Sequence, residues 1–248
     1  MSAYKLLAFD TSTELMSIAV SCTRDGVPQL WQHHGAAGAQ ASAGMIPAVM
    51  GLLAQASLPL SALDAICFGN GPGSFTGLRT ACAVAQGLGF GANVPLLPID
   101  TLLAVAEDAR WTTLQGQQSL HITALLDARM NEMYAASYAF ESGKWSTLQS
   151  SYLVRPEQLQ PTPLMAGTVF DLYGARIPGT GAAEQRIKAF SCAAALLRLA
   201  PQFLQMGAAV PAAQAMPAYI RDKVAQTTQE RADAKAALAQ AGNPPVPV

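Results

Sequence analysis

Between Asp25 and Asp100 only two side chains, Asp64 and Arg79, carry a formal charge. The first 103 residues hold 8 of the chain's 31 charged side chains. A helix that faces water carries charge on its outer face, so helices drawn from this stretch cannot all stand free in solvent. Two arrangements satisfy the constraint. The helices are buried on all sides within the chain, or their outer face is covered by another chain, because interface cores are poor in charge. A membrane span is a poorer account. The longest uncharged window, 80–99, contains Gln86, Asn93, Pro95 and Pro98 and reads as helix, turn and strand.

Composition supports a folded, buried interior: 51% of the 248 residues are apolar and 12% are charged. The formal net charge of −1 argues against strong autonomous binding to nucleic acid, which needs a basic face. Cys22, Cys67, Cys82 and Cys192 form no CxxC pair and read as reduced, small apolar residues. Asp10 and Glu14 interrupt the first apolar run, so no cleavable leader is expected and the expected location is the cytoplasm.

Periodicity orders the elements. Strands are expected at 4–10, 14–22 and 29–34, with a helix over 38–56 that Pro47 begins or kinks. A buried strand at 62–70 runs through a glycine turn into a helix over 76–91, followed by a strand at 94–99 and a helix over 100–110. A second lobe opens with two strands joined at Arg129-Met130-Asn131 and continues with strands near 145–154 and 163–167. A helix over 191–205 follows, and a short strand near 217–224 closes this lobe or returns to the first. The expected class is α/β with mixed sheet.

The glycine turn, "GNGPGSFTGLR" at 69–79, has the strand–turn–helix context of a phosphate loop. Its pattern, G-x-G-x-G-x-x-x-G, is neither a P-loop nor a dinucleotide fingerprint, and no lysine follows. Ser74 or Thr76 is the expected N-cap of the next helix. That helix carries Gly87, Gly89 and Gly91, each costing about 1 kcal/mol against alanine. Close approach of another backbone, from this chain or another, is the usual compensation.

The blocks "LLAFDTST…SIAV", "GNGPGSFTGLR…AQGLGFGANVPLLPIDTL" and "LLDARMNEMY", in this order, resemble the TsaB family. The likeness is close over 6–22, 63–103 and 122–135 and absent over the tail. The resemblance implies a two-lobed actin-like, sugar-kinase and heat-shock-ATPase fold with a reduced second lobe. Residues 1–103, joined by part of 206–225, would form the first lobe, 104–205 the second, and 226–248 a polar tail. It also implies a non-catalytic subunit of the bacterial machinery that makes threonylcarbamoyladenosine in tRNA. TsaD is its heterodimer partner, TsaE joins them, tRNA binds only through the complex, and a homodimer is open to the free chain. Metal and ATP are expected on TsaD and TsaE, and none on this chain.

The resemblance puts Met45, Val49, Leu52, Leu53, Thr76, Thr80, Ala83, Val84 and Gly87 at the partner interface. It puts Asp10, Thr11, Gly71, Gly73 and Ser74 nearest the superfamily's nucleotide cleft. The HxxxH metal motif of TsaD falls here on Thr101 and Val105, which are not strong ligands. Other chemistry is sparse. His33 and His34 are adjacent on a strand and point to opposite faces; His121 precedes an apolar strand. Asp10 reads equally as a turn-capping carboxylate, and Asp127 with Arg129 as a local ion pair. An autonomous metallopeptidase and a small kinase of the same fold are the rival readings.

Overall fold

The computed structural model describes residues 4–36, 39–160, 162–179, 181 and 184–220. Met1–Ala218 form one unit and Tyr219–Val248 another. In the second only Tyr219 and Ile220 are described, as irregular backbone, so the expected tail at 226–248 lies outside the described residues.

The first unit opens with strand β1 (Leu6–Asp10), every residue of which is buried. It pairs antiparallel with β2 (Leu15–Arg24), which turns through Asp25-Gly26 into β3 (Val27–Ala36). Both turn residues have positive φ, 50° and 77°, the conformation that a two-residue Asp-Gly hairpin turn favours. Helix α1 (Ala39–Gln55) contains Pro47 without ending there. It has no basic residue in its last turn, and the Arg24 guanidinium from β2 donates instead to the Ala56 carbonyl beyond it. Strand β4 (Ala65–Gly71) lies parallel to β1, helix α2 (Phe75–Ala92) follows, and β5 (Leu96–Asp100) pairs parallel with β4. The sheet order is β3-β2-β1-β4-β5. Between this sheet and helices α1 and α2 lies the larger core, built on Leu7, Phe9, Ile18, Val20, Ile66 and Phe68.

Helix α3 (Thr101–Thr112) leads to β6 (Ser119–Arg129), β7 (Glu132–Glu141), β8 (Lys144–Val154), β9 (Leu164–Gly167), the one-turn α4 (Phe170–Tyr173), β10 (Gln185–Lys188) and α5 (Ala193–Gln205). The second sheet has the order β10-β9-β6-β7-β8. Strand for strand this repeats the first sheet. The opening strand pairs antiparallel with the second, the second with the third, the fourth runs parallel to the first, and the fifth parallel to the fourth. The fold is thus α/β, as expected, and internally duplicated. Where the first repeat inserts α1 and α2, the second inserts a 3-10 turn (Pro156–Gln158) and α4.

The helices that end the repeats are exchanged. Helix α3 follows the first sheet, touches its β4 and β5, and packs chiefly on β6, β7 and β9, while α5 follows the second sheet but packs on β1, β2, β4 and β5. The two helices also pack on each other. Their contact is sealed by Glu107 of α3, which is 2% exposed. Its carboxylate accepts from Arg110 Nε at 2.6 Å and Nη2 at 2.8 Å, from Arg198 Nε of α5 at 2.8 Å, and from Trp145 Nε1 of β8 at 3.0 Å. Gln202 of α5 pairs its side-chain amide with both the N–H and the C=O of Trp145, at 2.9 and 2.7 Å.

Two expectations are corrected. No strand forms over the described part of 217–224. The chain returns to the first sheet earlier, through a bridge between Val210 and Leu96. Strand β10 and helix α4, four residues each, were not anticipated because neither is long enough to show a period. Among the described residues no helix is long and apolar enough to cross a membrane.

Removing the Glu107 carboxylate leaves the Arg110 guanidinium without its ion-pair partner and Arg198 with only Asp108 at 3.9 Å, at the junction of three elements. Glu107→Gln is therefore expected to destabilise the fold by about 3 kcal/mol, read as a shift in the urea unfolding midpoint. A change within 0.5 kcal/mol, about what a surface substitution produces, would contradict the assignment of this cluster as the seal.

Candidate functional site

The glycine loop is filled by the chain itself. Ser74 N-caps α2, its Oγ accepting from the Gly77 N–H at 3.4 Å, and its own N–H donates to the Ser12 carbonyl at 2.7 Å. Thr11 Oγ1 donates to the Gly77 carbonyl at 2.7 Å. A Cβ at Gly77 would stand 1.8 Å from Thr11 O, at Gly73 2.5 Å from Ser12 O, at Gly69 1.9 Å from Asp10 Oδ2, and at Gly71 2.3 Å from Ala218 O. These glycines therefore admit the turn between β1 and β2, and the backbone at Ala218, to contact distance.

Of the residues expected near a nucleotide, Asp10, Thr11 and Gly71 are buried, Gly73 is half-buried and Ser74 is exposed. Asp10 accepts from Ser12 N–H at 3.0 Å, Ser12 Oγ at 2.7 Å and Ser191 Oγ at 2.9 Å. Burial raises its pKa above the ordinary carboxylate value, and these hydrogen bonds offset part of that rise. Its carboxylate thus ties the first turn to the segment entering α5. Asp100 plays a parallel role: it N-caps α3 through Leu102 and Leu103 N–H and accepts from Tyr138 OH of the second sheet at 2.9 Å. Burial raises its pKa too.

Thr101 and Val105 are wholly buried, and Thr101 Oγ1 donates to the Pro72 carbonyl. His33, His34 and His121 are all exposed. Among the described residues no three His, Cys, Asp or Glu side chains converge as metal ligands. Asp127 and Arg129 form the expected ion pair at 3.3 Å, and Arg129 also reaches Glu14 at 2.8 Å, joining the opening turns of the two repeats.

The residues expected at a partner surface divide in two. Met45, Val49, Leu52 and Leu53 are at most 4% exposed and point into the larger core, so their expected place at an interface is corrected. Thr80 and Val84 are half-buried, while Thr76, Ala83 and Gly87 face outward. The outer face of α1 is carried instead by Ile46, Pro47 and Met50, and α2 adds Phe75 and Phe90, the latter 83% exposed. Sequence reasoning missed these because both faces of α1 are apolar. The glycines held the missed signal. A Cβ at Gly44 or Gly51 of α1, or at Gly87 or Gly91 of α2, would meet nothing within 4 Å, whereas Gly89 turns inward against Leu96.

The raised pKa of Asp10 has a definite sign in stability. A carboxylic acid whose folded value exceeds its unfolded value loses stability as pH rises from the unfolded pKa through the folded one. Asp10→Asn removes that loss while keeping an acceptor for Ser12 and a donor for Ser191. The variant is expected to gain on wild type as pH rises above about 4, measured by thermal unfolding from pH 4 to 8. A parallel pair of pH profiles would overturn this.

Three comparisons place the chain among known proteins. Residues 36–242 match the family model "TsaD: tRNA N6-adenosine threonylcarbamoyltransferase". The tRNA threonylcarbamoyladenosine biosynthesis protein TsaB of Escherichia coli is 30% identical over 230 residues, 89% of this chain and 96% of that protein. TsaB of Haemophilus influenzae is 35% identical over 168 residues, 64% of this chain and 67% of the relative. The solved structure of YeaZ from Pseudomonas aeruginosa superposes with a TM-score of 0.75 at 34% identity, covering 87% of this chain and 99% of that one. A second Pseudomonas aeruginosa structure, described as similar to peptidase YEAZ, gives 0.76 at 34% identity, with 88% and 100% covered. By sequence over nearly its whole length and by the arrangement of both sheets, the chain belongs to the TsaB (YeaZ) family.

Proposed function

We propose that this chain is the non-catalytic subunit of a threonylcarbamoyl-transferring complex and works by binding a TsaD-type chain through the outer face of α1 and α2. Its family supports a part in tRNA threonylcarbamoyladenosine biosynthesis. In this reading the partner transfers the threonylcarbamoyl group from its adenylate to the adenosine beside the anticodon of tRNA. The partner and the ATPase TsaE hold the metal and the ATP, and tRNA is met only in the complex. The location is the cytoplasm.

One observation carries the reading. Gly44, Gly51, Gly87 and Gly91 weaken their helices by about 1 kcal/mol each, and among the described residues nothing packs where their side chains would be. Beside them Ile46, Met50 and Phe90 stand in water. A second pair of helices approaching closely would compensate the glycines and bury the apolar side chains together. The match of this chain to the TsaD family model supports a partner of the same fold. The kinase reading requires the first turn and glycine loop to receive phosphate, and Thr11 and Ser12 occupy that space. The metallopeptidase reading requires ligands where Thr101 and Val105 are buried.

Ala83→Glu is expected to leave a folded chain and abolish co-purification with the TsaD of the same organism. Survival of the complex would remove α2 from the interface. Gly87→Ala separates the two roles of the glycine. The free chain should gain up to about 1 kcal/mol, seen in thermal unfolding, while affinity for TsaD falls. A stabilised variant with undiminished affinity would mean that no partner backbone approaches there.

A further inference from the structure

Residues 199–220 form a second run without Asp, Glu, Lys or Arg. Beyond α5 this run crosses back to the edge of the first sheet, where Val210 and Leu96 exchange backbone hydrogen bonds of 2.8 and 2.9 Å. A 3-10 turn at Ala212–Gln214 follows. The Ala215 carbonyl then accepts from Gln86 Nε2 at 2.9 Å and Cys82 Sγ at 3.5 Å, both on α2. Finally the Ala218 N–H donates to the Asn70 carbonyl at 2.6 Å, at the mouth of the glycine loop. Residues 207–218 thus form a strap running along α2 from its C-terminal end to its N-terminal end.

The strap and α1 lie on opposite flanks of α2. Helix α1 packs over β2 and β3, α2 over β1, β4 and β5, and the strap leaves from β5 at the sheet's edge. Gln86 and Cys82, which hold the strap, sit beside Ala83 and Gly87 on the helix surface. The low-bulk stripe of α2 is therefore a shallow trough with α1 on one side and the strap on the other. On the strap Ala215 is buried and Met216, the next residue, is 67% exposed. Anchors one residue before and two after hold this methionine in place. An unbranched, polarisable side chain at that position suits an adaptable apolar contact.

We propose that the strap is the third element of the partner surface, with Met216 seated against the same face of the TsaD-type chain that covers Ala83, Gly87 and Phe90. This rests on the reading of the α1–α2 face as the partner surface. Continuity is the physical reason: a stretch with only Asp64 and Arg79 charged and a second with no charge are brought side by side at α2, where Arg79 lies over the Phe75 ring, and charge depletion over a contiguous apolar area marks an interface core.

The test measures the affinity of full-length variants for the TsaD of the same organism. Met216→Asp should raise Kd at least about tenfold, as expected of a central apolar anchor. Ala213→Glu, elsewhere on the strap, should also weaken binding. Leu148→Asp, on β8 and 55% exposed in the free chain, should leave affinity within about twofold. Circular dichroism of the free variants shows that each is folded. If both strap variants bind like wild type while Ala83→Glu abolishes binding, the strap lies outside the interface and the inference falls, with the α1–α2 reading intact. If Ala83→Glu also binds normally, the α1–α2 reading itself fails and takes the inference with it.

Discussion

The contact between the first turn and the glycine loop sets the direction of everything on the outer face of the first sheet. Thr11 and Ser12 press their backbone carbonyls into the places where Gly77 and Gly73 lack side chains, and Ser74 caps α2 from between them. Any larger residue at these positions would move α2 away from β1. One packing arrangement therefore presents a helix at a defined angle.

Duplication explains how two modest sheets make one unit. Each repeat lends its closing helix to the other's sheet, so one face of each sheet is covered by the other repeat. The Glu107 carboxylate, with donors from α3, α5 and β8, sits where the exchanged helices cross. Buried charge at such a place gives directionality that an apolar contact lacks, because the acceptor geometry is satisfied in one register only. Arg129 and Glu14 join the two opening turns at the surface, where an exposed pair adds little energy.

Much of the fold was legible along the chain. The apolar run at 4–10, the strand expected at 14–22, and the strand–glycine–helix block at 62–91 correspond to β1, β2, β4 and α2 within a few residues. A cap at Ser74 or Thr76 was legible because a short polar side chain accepts from the first-turn N–H groups, and the structure places it at Ser74. The candidate surface was legible only in part. Ala83 and Gly87 were placed outward, but Met45, Val49, Leu52 and Leu53 face the core while Ile46 and Met50 face out. On a helix with no charged residue, periodicity distinguishes two faces without naming the inner one.

The sequence by itself determined the α/β class, the poverty of charge over residues 26–99, and the absence of an imidazole pair at Thr101 and Val105. These depend on residue type and local spacing, which the chain carries in one dimension. Tertiary structure alone decided the duplication, which lies in strand order and left no sequence repeat to recognise. It also decided the exchange of α3 and α5, the inner face of α1, and the meeting of two distant charge-poor stretches beside α2. Each of these is a contact between residues far apart in the chain, and such contacts are set by which apolar faces can be buried together.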